Sequence, residues 1–137
     1  MTIVRFLVIA SLLVASGAHA DSAKDALKGF GLAGTWSLNC AEPQQRRATF
    51  TTPFFGSPQY ILAEQGQSLP GDILSATQVT ADKIVVEVSY PAAQVKMVWH
   101  KVFDRIQLIE IIPVPRPGEP PMQSQYANGQ PWEKCVN

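Results

Sequence analysis

Apolar and polar residues alternate most clearly in the middle of the chain. Ile84, Val86, Val88 and Tyr90 share one face of an extended segment, and Val85, Glu87 and Ser89 share the other. Val95, Met97, Trp99 and Phe103 repeat the pattern, interrupted by Lys101, against Lys96, Val98, His100 and Val102. Ile106, Leu108 and Ile112, with Glu110 on their side, oppose Gln107, Ile109 and Ile111. A period of two with one apolar face is the signature of an antiparallel sheet packed on one side.

The same reading predicts strands over 36–40, 47–52, 59–64, 73–80, 83–90, 94–103, 106–112, 122–127 and 132–136. They are separated by Pro53, Gly66, Pro70-Gly71, Ala81-Asp82, Asp104-Arg105 and Asn128-Gly129. Ahead of them, residues 21–33 form a short helical lead-in. Ser22 is its expected N-cap, Ala26, Leu27 and Phe30 fall on one face, and Gly29 and Gly31 stop it.

The connections are too short for crossover helices, so strands adjacent in sequence are adjacent in space. The predicted fold is all-β, a closed antiparallel up-and-down barrel of eight or nine strands over 34–137, with a β-sandwich as the alternative. Cys40 and Cys135 are the only cysteines and bracket this segment. A bond between them requires Cα atoms within about 7 Å, which places the first and last strands side by side. Closing so long a loop is worth roughly 4–5 kcal/mol in the chain-entropy model.

Residues 1–20 read as a cleaved signal peptide. Arg5 supplies the positive start, Phe6 to Val14 the apolar core, and Ala18-His19-Ala20 the small residues before a cut at Asp21. Export, periplasmic or secreted, agrees with an even pair of distant cysteines. The remaining chain carries ten basic against eleven acidic residues, net −1. That balance supplies no field for a polyanion and argues against nucleic-acid binding.

Phe30-Gly31-Leu32-Ala33-Gly34-Thr35-Trp36 resembles the entry to a lipocalin- or avidin-type barrel. That resemblance implies a Gly34-X-Trp36 motif opening the first strand, with the Trp packed under the barrel floor. Gly34 to Cys40 together with Trp132-Glu133-Lys134-Cys135 resembles a group of small exported bacterial β-barrel proteins of unassigned function.

Candidate chemistry is sparse. His100 is the only histidine after the leader, and a disulfide would remove both thiols as nucleophiles or metal ligands. Neither a Gly-X-Ser-X-Gly elbow nor a phosphate, dinucleotide or calcium motif occurs. Glu110 and Lys101 can face inward as a pair, or turn to solvent at a bulge. Five of the eleven prolines fall in 113–121, as a rigid connector or a contact surface, and Phe54-Phe55 form a lid, a patch or a plug. The expectation is a monomeric binding protein without catalysis, metal or cofactor. It sequesters a small apolar ligand through Phe54, Phe55, Tyr90 and Trp99, or as the alternative contacts an envelope protein such as a hydrolase through its loops.

Overall fold

Helix α1 (Ala15–Phe30) leads into the sheet through a tightly specified stop. Gly31 adopts φ +85°, a conformation that disfavours any side chain bearing a Cβ. The Leu32 N–H then donates to Leu27 O at 2.9 Å and the Gly31 N–H to Lys28 O at 3.0 Å. This is a Schellman closure, and Leu27 and Leu32, fully buried, supply its apolar contact. The structure is a computed structural model and describes residues 15–127 and 129–136.

The helix starts earlier than expected. Ser22 lies inside it rather than at its N-cap, because Ala15, Ala18 and Ala20 are strong helix formers. The boundary of the expected leader, before Asp21, thus falls within α1, and leader residues 1–14 lie outside the described residues. Ala23, Leu27 and Phe30, spaced four and three apart, are buried on the side that packs against the sheet.

Nine strands follow: β1 (Gly34–Ser37), β2 (Arg47–Thr51), β3 (Gln59–Glu64), β4 (Gln67–Gln78), β5 (Lys83–Ser89), β6 (Gln94–Val102), β7 (Arg105–Pro113), β8 (Gln125–Tyr126) and β9 (Glu133–Cys135). All pair antiparallel in one sheet, in the order β8-β7-β6-β5-β4-β3-β2-β1-β9. One continuous sheet is not a sandwich. Burial alternates as the sequence pattern requires, with Ala48, Phe50, Ile84, Val86, Val88, Met97 and Trp99 on the concave side.

The sheet curls into a half-barrel but does not close. Cys40 and Cys135 are bonded, with Cα atoms 5.4 Å apart, and β9 pairs with β1 as predicted. That adjacency extends the sheet by a strand; it does not seal it. The far edge meets this one at a single bridge, where Ile106 and Trp132 exchange N–H···O bonds of 3.1 and 2.7 Å. The prolines of 113–121 withhold ladder donors from the connection, and β8 is only two residues long. Residue Asn128 of the expected Asn128-Gly129 turn lies outside the described residues.

Two bulges drive the curl. Ile73 and Ser75 pair with consecutive residues of β5, leaving Leu74 extra, and Leu108 and Glu110 pair with consecutive residues of β6, leaving Ile109 extra. Each such insertion bends its strand and sharpens the local twist.

Two boundaries differ from the sequence reading. Pro70-Gly71 does not separate strands but lies within β4, where residues 67–71 pair with β3 alone and the missing proline N–H can face the unpaired flank. Phe103 leaves the apolar face of β6. Val102 pairs with Arg105, so Phe103 and Asp104 form the turn; Phe103 has φ +57° and is 95% exposed.

Replacing both cysteines with serine removes a cross-link between residues 95 apart in sequence. The expected result is a stability loss of about 4–5 kcal/mol, read from the urea midpoint. A loss below about 1 kcal/mol would show that the bridge and the β1–β9 ladder hold the edges without the cross-link.

Candidate functional site

The concave face is only half filled. Helix α1 packs over β4 and, with Trp36, Phe50, Ile84 and Trp99, occupies one half of the hollow. The Trp36 indole N–H donates to Leu32 O at 2.9 Å, which fixes the helix end to β1. Gly34, two residues earlier, has φ +125°, a conformation that side chains rarely adopt, and a Cβ there would stand 3.0 Å from Lys134 Cε, so that side chain would have to shift.

Beyond the helix the inner wall opens into a cavity of about 630 Å³ between the two sheet edges. Leu108 and Ile111 of β7, Leu38 after β1 and Trp132 before β9 form its apolar lining. Arg46, immediately before β2, and Glu64, the last residue of β3, stand at its rim. The inner face of β2 runs Phe50, Ala48 toward Arg46, and that of β3 runs Tyr60, Leu62, Glu64, from core to solvent. Both Arg46 Nε and Nη2 donate to Glu64 Oε2, at 3.2 and 3.1 Å.

Tyr60 and Tyr90 lie on the same wall, deeper than the rim pair. Burial pushes the Tyr60 phenol well above its ordinary range; Tyr90 reinforces this and Arg46 opposes it. Burial raises Tyr90 as well, and its ring lies close against Gly71. Desolvation of the phenolate is the dominant cause at both.

The four residues expected to contact a ligand are not brought together. Trp99 is wholly buried, edge-on to Phe50 at 5.5 Å and to Trp132 at 6.2 Å, and serves as the centre of the core. Its indole Nε1 has no hydrogen-bond partner among the described residues. Tyr90 is half-buried on the inner wall. Phe54 and Phe55 are 90% and 84% exposed and pack on each other at 4.7 Å, so neither plugs the core.

Their loop also leaves the sheet on the side away from the mouth. Connections in an antiparallel meander alternate between two ends. Segments 52–58, 79–82 and 103–104 therefore sit at one end, and 38–46, 65–66, 90–93 and 114–124 at the other. The proline segment belongs to the second group, and Arg116 Nη2 ties it to the β5–β6 turn by donating to Pro91 O at 2.8 Å. Phe54-Phe55 and the proline segment thus leave in opposite directions rather than offering one joint contact.

The Lys101–Glu110 pair does not form. The bulge at Ile109 turns Glu110 to the outer face opposite Val98 and brings Ile111 to the inner face. Lys101, opposite buried Ile106, remains inward, with Nζ 4.3 Å from the centre of the Phe30 ring. His100 is on the outer face, with Nε2 4.0 Å from Asp82 Oδ2. Among the described residues, no three His, Cys, Asp or Glu side chains gather as a metal site.

Sequence reasoning overlooked Leu38, Arg46, Glu64, Leu108, Ile111 and Trp132 as site residues. The signal for the rim pair was present: Arg46 just precedes, and Glu64 ends, the alternating apolar faces of two strands joined by one hairpin. Comparison with protein families, curated proteins and solved structures finds no match to this chain. The resemblance of Gly34-Thr35-Trp36 to lipocalin and avidin entries therefore remains local to that segment.

Raised tyrosine pKa values imply a stability term with a definite sign. The folded chain keeps the Tyr60 and Tyr90 protons to higher pH than the unfolded chain, whose phenols ionise near about 10. The contribution is complete below about pH 10 and is lost as pH rises through the folded values. Phenolate absorbance is expected to show late increments, the latest of them absent in Tyr60→Phe, while the urea midpoint falls above that pH. Titration of every phenol together at the ordinary value would contradict the burial described.

Proposed function

We propose that this protein is a non-catalytic binding protein that holds a small, largely apolar ligand in the open half of its curled sheet. The observation that carries the reading is the cavity of about 630 Å³, lined by Leu38, Leu108, Ile111 and Trp132 on a wall the helix leaves uncovered. Small-ligand sites are concave, mainly apolar and about 300–1,000 Å³ in volume, with a few polar groups that orient the ligand. The rim pair Arg46–Glu64 and the glutamines beside it supply the polar groups. Leu38, Leu108, Ile111 and Trp132 themselves offer contact area.

The setting we propose is outside the cytoplasm, periplasmic or secreted, with the chain acting as a monomer. The disulfide between Cys40 and Cys135 supports this, because such bonds persist in oxidising compartments. No described helix is long and apolar enough to cross a membrane.

The test uses N-phenyl-1-naphthylamine, an uncharged apolar dye that brightens when shielded from water. Titration into the purified, disulfide-bonded protein is expected to give saturable, single-site binding. Ile111→Trp, which fills the cavity from β7, is expected to weaken it by at least about tenfold, a change of roughly 1.4 kcal/mol, with the melting temperature preserved. Absence of saturable binding, or equal binding by Ile111→Trp and Leu108→Trp, would remove the cavity as the site.

A further inference from the structure

The chemistry of the rim narrows the ligand class. This inference rests on the cavity being the binding site. Three charged side chains reach the mouth: Glu42, Arg46 and Glu64. Arg46 is the only cation of the three, and two of its nitrogens already serve one Glu64 oxygen. The rim therefore carries a surplus of one negative charge and no unengaged guanidinium. An anionic headgroup placed there finds only the remaining Arg46 donors, on Nη1 and Nη2, at a rim whose net charge Glu64 and Glu42 keep negative.

The remaining polar groups are amides. Gln44, Gln45, Gln65 and Gln130 also border the mouth. Among the described residues, no protein group hydrogen-bonds their side chains. Each glutamine offers two N–H donors and a carbonyl acceptor without net charge. Gln65 occupies a turn position with φ +51°, beside Gly66 at +78°, where asparagine, aspartate or glycine is usual. At that position Gln65 is exposed and borders the cavity mouth. A neutral group rich in hydroxyls or amides satisfies such a rim, while a cationic head finds only solvent-exposed carboxylates, whose ion pairs are weak.

We infer that the ligand is a neutral amphiphile: a single hydrocarbon chain against Leu38, Leu108 and Ile111, with an uncharged hydroxyl- or amide-bearing head on the glutamine rim. Three probes with the same chain length separate the alternatives: dodecyl maltoside, dodecanoate and dodecyltrimethylammonium, each below its micelle concentration. Trp132 lines the cavity, so its emission reports occupancy. Dodecyl maltoside is expected to bind at least about tenfold tighter than either charged probe.

Glu64→Gln removes one carboxylate and releases Arg46, so the ratio of dodecanoate affinity to dodecyl maltoside affinity is expected to rise at least about tenfold. Equal or tighter binding of either charged probe to the unmodified protein would overturn the inference. So would an unchanged preference in Glu64→Gln. If the naphthylamine dye binds and none of the three amphiphiles does, the cavity stands and the ligand class is wrong. If the dye also fails, the cavity reading itself falls.

Discussion

Burial of one helix face in a curved sheet is the interaction on which the other features depend. A nine-stranded sheet that curls without closing exposes a concave apolar surface, and such a surface is unstable in water unless something covers it. Ala23, Leu27 and Phe30 cover part of it. Their position is set by the Gly31 stop and by the Trp36 hydrogen bond to Leu32 O. Because the helix is short and fixed at its C-terminal end, its cover is partial. The exposed remainder, edged by Leu108, Ile111 and Trp132, is the cavity.

The incomplete closure has its own physical logic. β1 and β9 pair over three residues, and the disulfide supports that short ladder. On the opposite edge the chain switches partner. It runs beside β7 as β8, touches Ile106 through Trp132, and then joins β1 as β9. A strand divided in this way cannot complete a ladder with both neighbours. The gap that results lies where this cavity is found, so the same feature limits closure and shapes the cavity.

Much of this was legible in the chain. The strands from β5 to β7 followed alternation within a residue or two, and the cysteine bracket located the two terminal strands. Three features were not legible, each for a physical reason. Bulges at Leu74 and Ile109 invert the faces that follow them, and a period-two reading has no means to place an extra residue. The contact between the two edges rests on two hydrogen bonds at Trp132, which leave no trace in composition. Phe54, Phe55 and Trp99 share an aromatic character, yet exposure separates them completely: two sit at a loop tip and one at the centre of the core. Side-chain type alone does not reveal which part of a concave wall a short helix leaves bare.

The cavity wall combines leucine, isoleucine and tryptophan with a rim whose one guanidinium is internally paired. It is suited to holding an uncharged amphiphile by contact area rather than by charge. The most direct test is a methyl-resolved NMR titration with dodecyl maltoside. Methyl signals of Leu38, Leu108 and Ile111 are predicted to shift with occupancy, while those of Ile84, Val86 and Val88, beneath the helix, remain in place. Shifts confined to the other end of the sheet, around Val79 and the turn at Phe103, with Leu108 and Ile111 unmoved, would contradict the account.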